Sequence, residues 1–536
     1  MKKISLILTT LILAIGCSPR YYNTGEGKPI VIYFDNDVHC AADGYTAAAA
    51  LKAESASLNP NVLLVSAGDY VQGGSLGAAS KGQYIIDIIN RCGYDVVTLG
   101  NHEFDYGMIR LDELSKNLKA EIACCNLYDL RSGAPKLLFQ PYVMRQFGKA
   151  KVAILGISTP YSFVSSTPSY FQDKTGKYVY SLSADTFYET IQKAVDSARK
   201  EGADYVIAIT HLGDDAFDQI NALTTIANTS GIDAVLDGHS HSTIAGNVLK
   251  NAAGKPVLHC STGSHFENVG QLTILTDGRM ISKLIPVGGN TPKIMGVTSV
   301  TDSIKNEYAL AGNRVVGRSE VELIVADEDG PRVARQKETG LGDFCVDAIR
   351  HRMNTDIAVL GGGSVRAPLP EGKITYNDIF TVFPFGNTVA TDVMTGREIL
   401  DMLEMSVIVS PVEFGGFLQV SGLKMDVDNT IPTPIQLDVN KTFTKFTQGP
   451  RRVSNVQILQ KDGSYAPIDL DKKYTVSGTN YLLKEHGDGY GSLTGKRVVD
   501  TGVVDLQILE AYLTENLGGV IPARYAKTEG RINFKK

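Results

Sequence analysis

The 536-residue chain has little of several features that would point to a simple class of protein. Its formal net charge is only −6 and its pI is about 5.9, which disfavours a role in coating nucleic acid. Its seven cysteines include no C-x-x-C pair, so cysteine-based zinc or redox motifs are unsupported. We expect buried free thiols for most of the six that follow Cys17. The apolar run over residues 4–15 is too short to span a membrane, since a spanning helix needs about 20 apolar residues.

The N-terminus instead predicts export of the chain. Two lysines precede the apolar run, so residues 1–16 are interpreted as a signal peptide. The sequence Leu13-Ala14-Ile15-Gly16-Cys17 resembles a bacterial lipobox, which implies a lipid on Cys17, although a plain secretory signal is the alternative. Residues 17–28 would then be a tether from an outer-membrane anchor, and the protein would face the periplasm or the cell surface.

Five strand-like runs in the N-terminal half each lead into a loop that carries Asp, Asn or His. The runs alternate with helical segments, which predicts an α/β fold with a largely parallel sheet. Because ligands bind beyond the carboxyl ends of such strands, we expect the polar side chains of these loops to converge. These side chains are Asp37, His39, Asp69, Asn101, His211, His239 and His241.

The chemistry of that set indicates metal binding. Carboxylate, imidazole and amide groups together suit a divalent ion such as Zn²⁺, Mn²⁺ or Mg²⁺. Seven ligands are too many for one tetrahedral ion but are enough for two ions that share a carboxylate. Two-metal sites are typical of in-line displacement at phosphorus. One of the loops, Gly100-Asn101-His102-Glu103-Phe104-Asp105, taken alone also fits a polar turn that caps a helix.

The motifs Asp37-x-His39, Gly68-Asp69, Gly100-Asn101-His102-Glu103, His211 and Gly238-His239-Ser240-His241 resemble the ordered blocks of the calcineurin-like metallophosphoesterases. The resemblance implies an α/β/β/α sandwich and a metal-activated water that attacks phosphorus. It assigns one metal to Asp37, His39, Asp69 and His241, and the other to Asp69, Asn101, His211 and His239. His102, paired with Asp105, would be a catalytic residue that stabilises phosphoryl charge or protonates the leaving group, and Glu103 would support the loop.

Three features of the C-terminal half resemble the C-terminal domain of the 5′-nucleotidase family. They are Gly-Gly-Ser-Val-Arg366 with Phe383-Pro384-Phe385-Gly386-Asn387, then the run from Gly416 to Gly422, then Asn480-Tyr481 with Gly487-Asp488-Gly489. The resemblance implies that Phe417 and Tyr481 stack on the base, Asp488 binds the ribose and Arg366 binds the phosphate. Tyrosine at 481 is a departure, since that family more often has phenylalanine there.

The expected organisation is a metallophosphoesterase domain over residues 29–289, a connector over 290–335, and a smaller α/β substrate-binding domain over 336–536. The leading hypothesis is a di-metal phosphohydrolase of nucleoside 5′-monophosphates, with nucleotide sugars or di- and triphosphates as further substrates. Cyclic nucleotides or a non-nucleotide ester are the alternative substrates. A catalytically silent binding lipoprotein is a third hypothesis from another class, and it predicts the loss of ligands that this sequence retains.

Overall fold

The structure is a computed structural model that describes residues 27–535, except 74–76, 78–79, 216–217, 290, 327–329 and 331. For residues 307–311 it describes the backbone alone. The predicted signal peptide, Cys17 and all but two residues of the predicted tether lie outside the described residues. Across the part of the chain that is described, no helix has the length and apolar character needed to cross a membrane.

The N-terminal domain contains two six-stranded mixed sheets. The first has four parallel strands followed by two antiparallel strands at one edge, and the second has four parallel strands with one antiparallel strand at each edge. In spatial order the first sheet consists of Met280–Pro286, Asn268–Ile274, Ile30–Asp35, Val62–Ser66, Val96–Val97 and Glu121–Ile122. The second consists of Thr243–Lys250, Pro256–Thr262, Ala234–Asp237, Tyr205–His211, Ala150–Ser158 and Tyr142–Phe147.

The two sheets pack face to face because their strands are apolar on both sides. In the strand Ile30–Asp35, Ile32 points into a core shared with Ile207 of the second sheet, whereas Val31 points into a core shared with helices. The α/β/β/α sandwich implied by the family resemblance is therefore confirmed. The single parallel sheet that the strand pattern suggested is wrong, since strands buried on both faces carry no mark of which sheet they join.

Helices cover the outer face of each sheet. Those on the first sheet are Ala42–Leu58, Gln83–Cys92 and Met108–Asn117, and those on the second are Phe187–Lys200 and Ala222–Asn228. A short helix, Ser162–Ser165, and a small sheet of Lys136–Leu137, Tyr128–Asp129 and Tyr180–Ser181 complete the domain. All six cysteines after Cys17 are buried and free, as expected.

The C-terminal domain is a smaller α/β unit built on a mixed five-stranded sheet. Its strands, in order, are Leu418–Ser421, Ile357–Gly361, Lys473–Thr479, Thr388–Thr395 and Val499–Val504. A second sheet contains Tyr465–Pro467, Val453–Leu459, Leu423–Val427 and Ile532–Phe534, and a third contains Gly372–Thr375, Val315–Ser319 and Val520–Ile521. The strands Ile435–Leu437 and Phe443–Phe446 form a hairpin.

The longer helices of this half are Gly340–Met353, Tyr376–Val382, Gly396–Ser406 and Asp505–Ala511, with Asn480–Leu483 as a single turn. The capping box expected at the start of Gly396–Ser406 is present, with Thr395 and Glu398 bonded reciprocally. The predicted connector holds ordered elements. Its helix Met295–Gly312 buries Val297 and Ile304 in the core of the N-terminal domain, and Val315–Ser319 joins a C-terminal sheet.

Candidate active site

The loops at the carboxyl ends of both sheets bring all seven predicted metal ligands together. Loops of the first sheet carry the predicted ligands from Asp37 to Asn101. In the second sheet, His211 is the last residue of its strand, and His239 and His241 lie on the loop after the next strand. Three overlapping groups have ligand atoms close enough to share an ion: Asp37 with His39 and His241, Asp37 with Asp69 and His211, and His39 with Asp69 and His102.

Asp69 lies at the centre of this cluster. Its Oδ2 is 3.0 Å from Nε2 of His211 and 3.9 Å from Nε2 of His39. Nε2 of His211 is also 3.7 Å from Oδ1 of Asp37. All four side chains are at most 4% exposed, so these donors face one another away from solvent.

The remaining ligands flank Asp69 on two sides. On one side, Nε2 of His39 lies 3.1 Å from Nε2 of His241, which is 3.6 Å from Oδ1 of Asp37. On the other side, Nδ1 of His239 is 2.9 Å from Oδ1 of Asn101. Two imidazole nitrogens that face each other at this distance fit ligands of one ion, because a Zn–N bond is about 2.0–2.1 Å.

Backbone carbonyls orient two of the imidazoles toward the cluster. Nδ1 of His211 lies 2.8 Å from the carbonyl oxygen of Ala67, and Nδ1 of His39 lies 3.2 Å from that of Gln72. Such contacts hold the proton on Nδ1 and leave the Nε2 lone pair for a metal. The Nε2 of His211 is buried and lies 3.0 Å from Oδ2 of Asp69.

Five of the seven ligands have left-handed backbone conformations, which are uncommon for residues other than glycine. Their φ angles lie between 42° and 86°, at Asp37, His39, Asp69, His239 and His241. Strain of this kind costs on the order of 1–3 kcal/mol per residue and clusters at functional sites. The backbone of these loops is therefore locally strained, and this conformation directs the side chains toward the cluster.

Two glycines permit the close approach of the loops around Asp69. A Cβ on Gly100 would lie 2.1 Å from Oδ1 of Asp69. Gly68 has φ +96°, and a Cβ there would lie 2.4 Å from the backbone nitrogen of Gly100. Any larger residue at either position would push the two loops apart.

The protonation states at the cluster favour a cation. Burial lowers the pKa of His39 and His241 well below the ordinary value, so both imidazoles keep a free lone pair. Burial alone would raise the pKa of Asp69, but His211 and His102 outweigh it and hold that pKa well below the usual range. Asp69 is thus ionised beside the neutral imidazoles of His39 and His241, and these are the forms that bind metal. Burial by itself lowers the pKa of His211, but the carboxylates of Asp69 and Asp37 outweigh it and raise that pKa to about 10, so metal binding at His211 would release a proton.

Glu103 holds the loops that carry Asp69 and Asn101. Its carboxylate accepts hydrogen bonds from the backbone nitrogens of Asp69 at 2.8 Å, Gly100 at 2.6 Å, Tyr70 at 2.8 Å and Val71 at 3.2 Å. The side chain is 2% exposed, so no water competes for these bonds. The contacts agree with the supporting role expected for Glu103.

His102 and Asp105 form a pair beside the cluster. Nδ1 of His102 lies 2.6 Å from Oδ2 of Asp105, and its backbone nitrogen donates to Oδ1 of Asp69 at 2.9 Å. Burial by itself lowers the pKa of His102, but the carboxylates of Asp105 and Asp69 outweigh it, and the pKa is raised. The imidazole is thereby held in a form that can donate a proton or a hydrogen bond.

A cavity of about 640 Å³ lies between the two domains and includes this cluster. Three of the four predicted substrate-binding residues line it, namely Arg366, Tyr481 and Asp488. Phe417 does not. It is 1% exposed and packs in the core of the C-terminal domain, so its predicted place in the base clamp is wrong. The aromatic ring that this segment presents to the cavity belongs to Phe414.

Two further arginines line the cavity and were missed in the sequence, Arg332 and Arg335. Burial lowers the pKa of Arg335, and the neighbouring guanidinium groups of Arg332 and Arg366 lower it further. Nε of Arg332 donates to Oε2 of Glu413 at 2.8 Å. Both arginines lie in the predicted connector, where no motif distinguishes them. Only the fold shows that they face the metal ligands.

Two facing sheets, a carboxylate–imidazole cluster at their shared edge and a cavity rich in arginine define a hydrolase of the metallophosphoesterase class. A family model described as calcineurin-like phosphoesterase matches residues 30–243, and one described as 5′-nucleotidase, C-terminal domain, matches residues 315–495. The chain thus consists of a calcineurin-like phosphoesterase domain followed by a 5′-nucleotidase C-terminal domain.

Known proteins resemble this chain over most of its length. The 5′-nucleotidase of Vibrio vulnificus is 26% identical over 507 residues, which cover 87% of this chain and 84% of that protein. The trifunctional nucleotide phosphoesterase YfkN of Bacillus subtilis is 27% identical over 94% of this chain, which spans only 35% of the length of that relative. The crystal structure of a 5′-nucleotidase precursor from Thermus thermophilus has a TM-score of 0.80 at 26% identity, covering 94% of this chain and 99% of that one.

Proposed function

We propose that this protein is a di-metal phosphohydrolase that converts nucleoside 5′-monophosphates to nucleoside and phosphate. The observation that carries the proposal is a single cavity with two walls. The metal-ligand cluster around Asp69 forms the wall in the N-terminal domain, and three arginines with Tyr481 and Asp488 stand on the wall in the C-terminal domain. A phosphate ester joined to a nucleoside needs both walls at once.

The ligand set fits two divalent ions. Asp37, His39 and His241 are suited to one ion, and Asn101, His211 and His239 to the other, with Asp69 shared between them. The short distances between Nε2 of His211 and Oδ2 of Asp69 and between the Nε2 atoms of His39 and His241 support this division. Bound divalent ions lower the pKa of a water and neutralise charge on phosphoryl oxygens.

The arginines position the phosphate. Burial is the main cause that lowers the pKa of Arg335 and of Arg366, and the nearby guanidinium group of Arg332 lowers both values further. All three arginines line the cavity. An anion placed among them would relieve this repulsion. Guanidinium groups bind phosphate through two parallel hydrogen bonds, which fixes its orientation as well as its place. His102, held by Asp105, then faces the ester as the donor to the phosphoryl oxygens or to the leaving group.

The nucleoside is held by Phe414, Tyr481 and Asp488. A Cβ on Gly416 would lie 2.6 Å from the ring of Phe414 and 2.9 Å from Cβ of Asp488, so this glycine lets the two residues approach. Aromatic rings bind any base by stacking. The carboxylate of Asp488 supplies acceptors for two ribose hydroxyls.

Metal-dependent nucleotidase activity tests the proposal. Protein stripped with a chelator and reloaded with Mn²⁺, Zn²⁺ or Mg²⁺ is expected to release phosphate from AMP, and the stripped protein is expected to be inactive. UDP-glucose and 2′,3′-cyclic AMP, assayed in parallel, distinguish the alternative substrates. The proposal fails if no metal restores the hydrolysis of any nucleoside monophosphate.

Two neighbouring phenylalanines separate base binding from folding. We expect Phe414→Ala to raise KM for AMP by roughly tenfold or more, because a stacked base contributes about 1–3 kcal/mol. Because Phe414 is only half-buried against the core, the same change should lower the melting temperature less than Phe417→Ala does. Phe417→Ala is expected to cost about 3–5 kcal/mol of stability, since it opens a hole in a core. Enzyme kinetics and thermal unfolding of both variants provide the measurement. A raised KM confined to Phe417→Ala would reverse the assignment.

A further inference from the structure

The short helix Ser162–Ser165 and the residue after it, Ser166, lie between the two walls of the cavity. This segment belongs to the N-terminal domain, but the hydroxyl of Tyr481 in the C-terminal domain donates to the carbonyl of Val164 at 2.7 Å. Carbonyl groups in the last turn of a helix have no partner within the helix, so this one is available to a donor from outside.

The same hydroxyl also has a partner in its own domain. The backbone nitrogen of Asp488 donates to Oη of Tyr481 at 3.0 Å. The oxygen therefore accepts one hydrogen bond and donates another, which fixes the direction of its proton toward Val164. Tyr481 thus connects the Asp488 segment to the helix of the other domain.

At its other end, the segment contacts the catalytic pair. Oγ of Ser166 donates to Oδ1 of Asp105 at 3.1 Å, and Oδ2 of Asp105 lies 2.6 Å from Nδ1 of His102. Both carboxylate oxygens are thus engaged, one on each side. Because Ser166 is only 2% exposed, no solvent competes for this contact.

Hydrogen bonds within the segment connect its two ends. The backbone nitrogen of Ser166 donates to the carbonyl of Ser162 at 3.0 Å, and the hydroxyl of Ser162 donates to the carbonyl of Thr159 at 2.8 Å. The Val164 carbonyl and the Ser166 hydroxyl therefore belong to one hydrogen-bonded turn.

We propose that Ser166 and the hydroxyl of Tyr481 are positioning residues for His102, acting through the turn at 162–166 and Asp105. The proposal rests on the proposed function for the role of His102 in phosphoester hydrolysis. In this arrangement the C-terminal domain does more than hold the nucleoside, since its approach also fixes the orientation of the catalytic imidazole. A phenylalanine at 481 would keep the stacking ring and lose both hydrogen bonds of the hydroxyl, the one to Val164 and the one from the backbone nitrogen of Asp488.

Two conservative variants test the proposal with p-nitrophenyl phosphate, a substrate that has no nucleoside to stack. Ser166→Ala is expected to lower kcat about tenfold with little change in KM, since a hydrogen bond to a charged group is removed. Tyr481→Phe is expected to lower kcat on the same substrate about threefold, although the ring is retained. The double variant should lose less than the product of the two single losses, because both break one chain of contacts.

A spectroscopic measurement gives an answer that does not depend on turnover. In metal-loaded protein labelled with ¹⁵N-histidine, the Nδ1 resonance of His102, assigned with His102→Ala, is expected to shift in both variants. Two matched controls, Ser169→Ala on the exposed surface and Tyr465→Phe on a distant strand, should leave that resonance and kcat unchanged.

The proposal is overturned if Tyr481→Phe matches the wild type in both kcat on p-nitrophenyl phosphate and the His102 resonance, because Tyr481 would then act on the nucleoside alone. It is also overturned if Ser166→Ala lowers only the melting temperature. If the wild type hydrolyses p-nitrophenyl phosphate but no nucleotide, the proposed function fails while this test still stands. If neither p-nitrophenyl phosphate nor a nucleotide is hydrolysed, the Nδ1 resonance of His102 tests the proposal alone. A shift in both variants supports the proposal, and an unchanged resonance overturns it.

Discussion

Asp69→Asn is expected to lower phosphohydrolase activity by at least ~1,000-fold. Asp69 is the only carboxylate within 4 Å of Nε2 in both His39 and His211 among the described residues, so it is the group that two ions would share. Metal ions at such a site supply several kcal/mol of transition-state stabilisation, and each 1.36 kcal/mol corresponds to a factor of about ten in rate. Initial rates on AMP with saturating metal measure the loss.

Asparagine is the stringent choice because it keeps the size of the side chain and the acceptor for the backbone nitrogen of His102. Its neutral amide cannot bridge two cations. Metal analysis of the purified variant should therefore show fewer than two bound ions. Full metal content combined with near-wild-type activity would exclude Asp69 as the shared ligand.

His102→Ala is expected to lower kcat by roughly 100- to 10,000-fold and to leave metal content unchanged, since positioned proton donors contribute about that much. For the neighbouring residue, we expect Asn101→Ala to weaken metal binding instead. It removes the oxygen that faces Nδ1 of His239, so metal affinity should fall, and excess metal should restore part of the rate. Titration of chelated protein with Mn²⁺, followed by kcat and bound metal, separates the two cases.

Adjacent residues serve as controls for each other in this comparison, because both variants alter the same loop. If His102→Ala also lost metal, its imidazole would have to be counted among the ligands, as its proximity to His39 and Asp69 permits. If excess metal failed to improve Asn101→Ala, the amide would have a role in the loop alone.

The candidate metal ligands could be picked out from the sequence because each lies at the end of a strand or within four residues beyond it. A strand end is a local property, and parallel strands necessarily bring their carboxyl ends to one edge. The division into two sheets could not be predicted in this way, since Val31 and Ile32 are equally apolar but face different cores. Only the family resemblance supplied the sandwich.

The substrate-binding residues were harder to predict, because their positions depend on contacts between residues that are far apart in the chain. Phe414 and Phe417 lie close together in the chain, and nothing local shows that Phe417 is 1% exposed while Phe414 reaches the cavity. Arg332 and Arg335 have no motif, and their function depends on packing against residues far earlier in the chain. The domain limits at residues 289 and 335 stay predictions. The helix Met295–Gly312, which lies between these limits, packs on the N-terminal domain.

By itself, the sequence determined which oxygen and nitrogen donors stand near the ends of which strands, and it predicted from their number and kind a site for two divalent ions. The tertiary structure alone decided the arrangement of those donors around Asp69, the arginines opposite them, and the contact of Tyr481 with the turn that leads to Asp105 and His102. The physical reason is the separation along the chain of the residues that determine each feature. Strand ends and turns are set by neighbours in the chain, whereas a cavity between two domains is set by residues that only packing brings together.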